Sequence, residues 1–338
     1  MIKRDNFFYP LFQRNPFPLL PFLLFPLSLQ AQLIDTHLSE PSTTDPHFNT
    51  EIIRLNKIKS ITFSISQKPD LQVIDDKGLV QCFEFDSLGL VKRSYTTSIR
   101  SQEKVETLVK ARYYRGRRIS PAYTDISWKY IYDTAFTWFV YDKEKQLILK
   151  RSNYGDIFST YYYEYDSLGR VTKEINCRET NKNLDKHHFE LGVQTVLSTE
   201  SFQYVRQSPS QLKKLCLNDD GKVYKQGIIN RDSNTVTEDF SFIVGYVRYS
   251  NIYTYDKSGK LISKTYASNE NGDTKTTVSY TYDENGNVSF EKRQKNDTLT
   301  DDLSYLYDES GKLLRSKLDR DYIHLNIEIV KVMYEYYP

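Results

Sequence analysis

Three cysteines, two methionines and two tryptophans are all that 338 residues hold of those types. Cys82, Cys177 and Cys216 are too few for a disulfide-built fold. An odd number allows at most one bridge, and the sequence does not choose the pair. Net charge is also lacking. Residues 1–31 hold three basic side chains and one acidic, and without them the chain is balanced. A balanced chain lacks the basic footprint that nucleic acid demands, so no nucleic-acid partner is expected. No apolar run is long enough for a spanning helix of roughly 20 residues. The run Phe17–Leu29 is short and broken by Pro18, Pro21 and Pro26. It follows Lys3, Arg4 and Arg14 and ends at Leu29-Gln30-Ala31. A basic start, an apolar middle and a small residue at the end make an export signal. Residues 1–31 are therefore expected to be removed, leaving no membrane span and a periplasmic, cell-surface or extracellular protein.

What the chain has in abundance is aromatic: 28 Tyr and 18 Phe. Such residues suit a pleated, half-buried surface. They recur in a unit, aromatic-x-aromatic-Asp-x-x-Gly-x-(Leu or Val), at Phe83–Val91, Tyr163–Val171, Tyr253–Leu261, Tyr280–Val288 and Tyr305–Leu313. Degenerate copies stand at Phe139–Leu147, which lacks the Gly, and at Leu215–Val223, which has Asn218 for the Asp. Ile74–Gly78 keeps only the turn, and Tyr334-Glu335-Tyr336 only the opening half. Asp at the first turn position accepts bonds from the N–H groups just ahead, and Gly three residues on takes positive φ. The turn residues are thus Asp86 and Gly89, Asp166 and Gly169, Asp256 and Gly259, Asp283 and Gly286, and Asp308 and Gly311.

Each unit reads as a hairpin with a three-residue loop and a bulge. The expected register sets Tyr255 opposite Leu261 and Tyr253 opposite Ser263, with Lys264 on the other face. In the next copy Tyr280, Tyr282, Val288 and Phe290 share the aromatic face, and Thr281, Ser289 and Glu291 the other. Second turns, "SNENGD" at 268–273 and "QKND" at 294–297, give an up-and-down meander. Repeats that touch mainly their neighbours stack in one dimension.

At these residues the chain resembles the YD-repeat, or Rhs-repeat, family, as a short exported member. The resemblance implies strand-turn-strand units winding into a spiralling sheet, which in long members closes as a shell around a toxin segment. No Asp-Pro cleavage motif follows the last copy. The expectation is therefore an all-β, antiparallel β-meander of hairpin repeats forming an elongated or curved sheet over 59–338. A flexible spacer over 32–58 and an irregular insertion around 178–212 complete the layout.

The chemical candidates are few. His187 and His188 are adjacent and face opposite sides of a strand. With Glu190 they fall short of the three protein ligands of a catalytic zinc. "DENGN" at 283–287 and "NDDG" at 218–221 resemble calcium loops, but Gly falls fourth in "DENGN" and no Glu follows at the twelfth place. No Gly-x-Ser-x-Gly elbow or Cys–His signature appears. No cofactor, metal or catalytic residue is expected. The remaining candidates are the tyrosine rows, Tyr253, Tyr255, Tyr280, Tyr282, Tyr305 and Tyr307, either a binding platform or a packed face. The expected function is a non-enzymatic exported scaffold for an envelope glycan or protein. The alternatives are a component of an Rhs-like toxin-delivery system and a polysaccharide-active enzyme of the envelope.

Overall fold

The computed structural model describes residues 33–36, 46–154, 157–183, 185, 188–270 and 272–338. The chain divides into two units, Met1–Gln30 and Ala31–Pro338. The export signal lies outside the described residues. The second unit opens with helix α1 (Thr50–Leu55). Ten strands follow in its first half: β1 (Ile58–Pro69), β2 (Asp75–Phe85), β3 (Val91–Val109), β4 (Arg112–Tyr114), β5 (Arg117–Ser120), β6 (Tyr123–Tyr141), β7 (Leu147–Tyr154), β8 (Ile157–Tyr165), β9 (Val171–Asn181) and β10 (Leu191–Ser208). The second half adds β11 (Gln211–Leu217), β12 (Val223–Arg231), β13 (Thr235–Phe242), β14 (Arg248–Tyr255), β15 (Leu261–Ser268), β16 (Thr274–Tyr282), β17 (Val288–Lys295), β18 (Thr298–Tyr307), β19 (Leu314–Asp321) and β20 (Asn326–Tyr336).

The sheet closes on itself. Successive strands pair antiparallel, β4 and β5 form a small separate ribbon, and β1 pairs both with β2 and with β20. Ile58 lies opposite Tyr336 and Pro69 opposite Asn326, so the seam runs the length of both strands. The result is an 18-stranded barrel. This corrects the expected open sheet, elongated or curved: eighteen coiled strands leave no edge, because the last finds the first.

In a closed meander alternate connections fall at opposite ends. At one end lie the turns after β2, β6, β8, β14, β16 and β18, all built alike. The N–H of Gly89, Gly169, Gly259, Gly286 and Gly311 donates to the carbonyl of the Asp three residues before, at 2.9–3.1 Å. Each glycine has φ between +66° and +86°. Where Gly is missing, Lys145 takes φ +65° in its place. The Asp carboxylate accepts two further N–H groups in most copies, as Asp256 does from Ser258 and Lys260 at 2.8 and 2.9 Å. In three copies the second tyrosine ties its hairpin to the preceding one, and in the final half-copy the first tyrosine does so: the hydroxyls of Tyr165, Tyr282, Tyr307 and Tyr334 donate to the carbonyls of Leu147, Leu261, Val288 and Leu314 at 2.6–3.0 Å.

The ladder corrects the expected register. Thr254 lies opposite Ser263, Tyr253 opposite Lys264, and Tyr255 opposite Leu261, with the irregularity between Thr254 and Tyr255. Tyr280 lies opposite Glu291, and Phe290 opposite Thr281. The bulge adds one residue just after each turn, and one residue reverses every side chain beyond it. Lys264 and Glu291 therefore share the tyrosine face, and Phe290 leaves it. In the last copy the turn is one residue longer, so Leu314, not Leu313, pairs with Tyr307.

The tyrosine face is the inside. Phe83, Phe85, Val91, Leu147, Tyr163, Val171, Leu314 and Val330 are buried in one cluster with Leu33, Ile34, Phe48, Ile52 and Ile53. The expected flexible spacer over 32–58 is thus corrected in its described parts. Five large apolar side chains spaced along it are drawn into the barrel mouth, each worth about 1.5–3 kcal/mol when fully buried. Phe48 packs edge-on against Phe83 and Phe85 at 4.9 and 5.4 Å. Asn49 caps the helix by accepting from the N–H groups of Glu51 and Ile52 at 3.1 and 3.2 Å. The irregular insertion expected around 178–212 is largely strand, with a short loop between β9 and β10.

Candidate functional site: a charged chamber inside the barrel

Past the aromatic layer the inward positions change character. The third residue after the paired aliphatic residue is Lys150, Glu174, Lys264, Glu291 and Lys317 in five copies, and the bulge turns each of them inward. Two residues on, Arg293 and Asp319 point the same way, facing Val278 and Leu303 respectively. A chamber of about 290 Å³ opens here. Its wall is Lys264, Tyr280, Glu291, Arg293, Leu303, Tyr305, Lys317 and Asp319, with Phe63 and Gln81 opposite. Asp35, Thr36, Pro46 and His47 of the N-terminal segment form its floor.

The charges inside are ordered. Glu291 is buried and accepts from Arg293 Nε at 2.7 Å and from the Tyr305 hydroxyl at 3.1 Å. Burial acts against charge on Arg293, but neighbouring Glu291 outweighs it and raises its pKa. Burial, reinforced by Glu291, likewise pushes Tyr305 up and keeps it a neutral donor. Lys317 Nζ stands 3.8 Å from Asp319 Oδ2. Burial still raises the Asp319 pKa above its ordinary value, against the pull of Lys317 and Arg293. Lys264 Nζ lies 6.0 Å from the centre of the Tyr280 ring. Cations and carboxylates thus meet around one space, a layout that fits a small solute carrying both signs of charge.

All six candidate tyrosines face this interior and are partly buried. Their rings do not form an outer platform. Tyr282 and Tyr307 bond the neighbouring strand as described, and Tyr282 also meets the Thr36 hydroxyl of the floor at 3.3 Å. Tyr280 and Tyr305 line the chamber. Tyr253 donates to Glu238 at 3.4 Å, one ladder away. Lys264, Glu291, Arg293, Lys317 and Asp319 escaped the sequence reading, although a charged residue third after the aliphatic in five copies was a legible signal.

Four other features have less to offer a ligand. A larger, shallower trough of about 680 Å³ lies beside β12–β16, bordered by Asp239, Arg248, Ser250, Ala267, Asp273 and Lys275. On the outer face of β7–β9, Glu179 is fully buried and accepts from Arg151 Nε at 2.7 Å, Thr160 at 2.6 Å and Tyr162 at 2.6 Å. Those bonds hold its pKa down against the opposing effect of burial. Phe189 covers the Arg151 guanidinium at 3.7 Å, so this network is closed packing. His188 bonds Asp185 at 2.7 Å on an exposed loop, and His187 lies outside the described residues. Cys82, Cys177 and Cys216 are free and buried, and burial, its largest influence, pushes the Cys216 thiol up to about 11.

No family model matches the chain, and no curated protein does. Among solved structures the chain is similar to a porin-like protein from Bacteroides uniformis, with 11% identity over 83% of this chain and 97% of that one, at a TM-score of 0.37. It is similar to a porin-like protein from Bacteroides vulgatus, with 10% identity over 61% and 94%, at 0.30. A third match, described as TcdB2-TccC3-TEV, has 15% identity over 73% of this chain and 15% of that one, at 0.20. These likenesses define no family for the chain. The closure of the sheet corrects the expected function. A scaffold that binds through an aromatic sheet face has no such face here, since closure turns it inward. The toxin-delivery alternative falls with it, because the open repeat frame it assumed is absent.

Proposed function

We propose that the chain is an exported, non-catalytic barrel standing in water that holds a small polar solute with charges of both signs in its chamber. The observation that carries this is the convergence of Lys264, Glu291, Arg293, Lys317 and Asp319 on one space of about 290 Å³. That volume lies just below the usual range of small-molecule pockets, roughly 300–1,000 Å³. A floor built from the chain's own N-terminal segment supports holding rather than free passage.

The outer face supports the water-facing part. A membrane barrel shows an apolar band about 25 Å tall, and a Lys or Arg at its midplane costs roughly 2–4 kcal/mol. Here the outward residues of β1 are Ser60, Thr62, Ser64 and Ser66, and those of β16 are Lys275, Thr277, Ser279 and Thr281. Lys292, Asp302 and Lys331 stand outward near the middle of β17, β18 and β20. Among the described residues no helix is long and apolar enough to cross a membrane.

The experiment is a thermal-shift screen of amino acids, short peptides and other zwitterions on protein purified without detergent. Stabilisation by a member of that class, reduced at least tenfold in apparent affinity by R293A and by K317A, is expected. Binding untouched by both substitutions would place the ligand elsewhere. Protein that stays in solution only with detergent would overturn the water-facing reading.

A further inference from the structure

Strands β3 and β6 are each 19 residues long, about twice the length of most of their neighbours. β2 pairs with β3 only as far as Thr96, and β7 with β6 only from Thr137. Beyond Ser98 the two strands pair with each other alone, up to Val109 opposite Tyr123. Roughly a dozen residues of free ladder carry the hairpin about 40 Å past the barrel wall at the rise of a strand. The ribbon β4–β5 forms its tip.

The chemistry of that tip differs from the rest of the molecule. Between Leu108 and Tyr123 stand Lys110, Arg112, Arg115, Arg117 and Arg118, and no acidic residue. Among the described residues none of the five makes an ion pair, and Arg115 only lies over the Tyr114 ring at 5.4 Å. Large apolar groups stand among them in water: Leu108 is 69% exposed, Tyr113 65%, Ile119 64% and Tyr114 62%. Below the tip, Trp128 and Ile126 continue on the Leu108 face, also half-exposed.

A hairpin needed only for the fold would not place five uncompensated cations and a cluster of bare rings at its far end. Like charges there repel one another, and the apolar surface is ordered against water. Both become favourable against an anionic interface that takes amphipathic rings at headgroup depth. We propose that the tip of the β3–β6 hairpin is a peripheral docking surface for an anionic lipid bilayer, with the guanidinium groups on lipid phosphates and Tyr113, Tyr114 and Ile119 seated among the headgroups. Charge complementarity selects the phosphate-bearing surface. The exposed rings select a bilayer over a soluble polyanion, and the net negative charge of the rest of residues 32–338 confines contact to the tip. The inference stands apart from the chamber: either can fail without the other.

The test is co-sedimentation of the purified protein with vesicles of phosphatidylcholine alone and of equal parts phosphatidylcholine and phosphatidylglycerol. Binding to the anionic vesicles only is expected, weakening several-fold when salt shortens the screening length. The variants R115S/R117S/R118S and Y113S/Y114S should each lose at least tenfold in partitioning, with unchanged thermal melting showing that the barrel is intact. Equal binding by wild type and both variants, or none to anionic vesicles, would overturn the proposal. So would capture by dextran sulfate or RNA that matches vesicle binding and ignores the tyrosine substitutions, since that marks a polyanion site.

Discussion

The two ends of the barrel are made from similar sequence and put to opposite use. Six Asp turns at one end drive aromatic and aliphatic side chains inward, onto a segment that fills the mouth. At the other end one more copy of the turn, Asn218 to Gly221, has the same bonds and a Gly at φ +71°. Yet its flanking Leu217 and Val223 face outward, while Cys216 and Lys225 face in. A bulged hairpin has a fixed hand, so its aromatic face is tied to the direction from which the chain arrives. Turned end for end in a meander, the same motif presents that face to water. This is why the clean copies all gather at one end, and why the copy at the other has lost its aromatics.

Removing packed side chains should break the symmetry of the motif most visibly. Leu261 and Val223 hold the same motif position, but Leu261 is 1% exposed and Val223 36%. Leu261→Ala should destabilise by roughly 2–5 kcal/mol, and Val223→Ala by no more than about 0.5 kcal/mol. Chemical denaturation midpoints measure both, and equal losses would refute the assignment of faces.

The next contrast lies within the one end. A Cβ at Gly89 would stand 2.2 Å from the Thr50 carbonyl of the helix, whereas at Gly259 it meets nothing. Gly259→Ala therefore carries only the positive-φ strain, about 1 kcal/mol, while Gly89→Ala adds a backbone collision and should cost roughly 3 kcal/mol or more. If the two melt alike, the helix does not sit beneath that turn.

Acid should separate the turns from the chamber. The Arg170 side chain and N–H hold Asp166 below the ordinary carboxylate range, the Ser258 hydroxyl and Lys260 N–H hold Asp256 there, and at Asp308 the Leu313 N–H and Ser310 outweigh burial. A depressed folded pKa gives stability that is complete above the unfolded value near 4 and is lost as pH falls through the folded one. Melting temperature is thus expected to hold from pH 7 to about 5 and fall below about 4, less steeply in D166N/D256N. Asp319 runs the other way, since its raised pKa means that its charge opposes folding at neutral pH. The smallest effect expected is a slight rise in melting temperature at pH 7 for D319N, measured by calorimetry, with no gain below the ordinary carboxylate range. A fall at pH 7 would show that its contact with Lys317 outweighs desolvation.

Much of this frame was legible in the residues. Asp256 and Gly259 announce a turn, Tyr253, Tyr255 and Leu261 a packed side, and their recurrence a meander. What local pattern could not show was parity and closure. The extra residue after each turn, Ile262 or Ser289, reads as ordinary strand, yet it moved Lys264 and Glu291 to the inside and so hid the chamber. Pairing of Ile58 with Tyr336 depends on twist accumulated over the whole sheet, which no local spacing records. Leu33, Ile34, Phe48, Ile52 and Ile53 stand among polar residues and read as spacer, because the mouth that buries them is built from residues far along the chain.

The seam between β1 and β20 also sets an order of events. A strand that emerges among the first has its final partner among the last residues, Asn326 to Tyr336. Until those arrive, β1 offers an open edge ready to pair with any extended chain. Closing a loop of nearly the whole chain makes that last zipper slow and entropically demanding. The closed barrel therefore hinges on its carboxyl-terminal strand, the clasp that joins the last strand to the first.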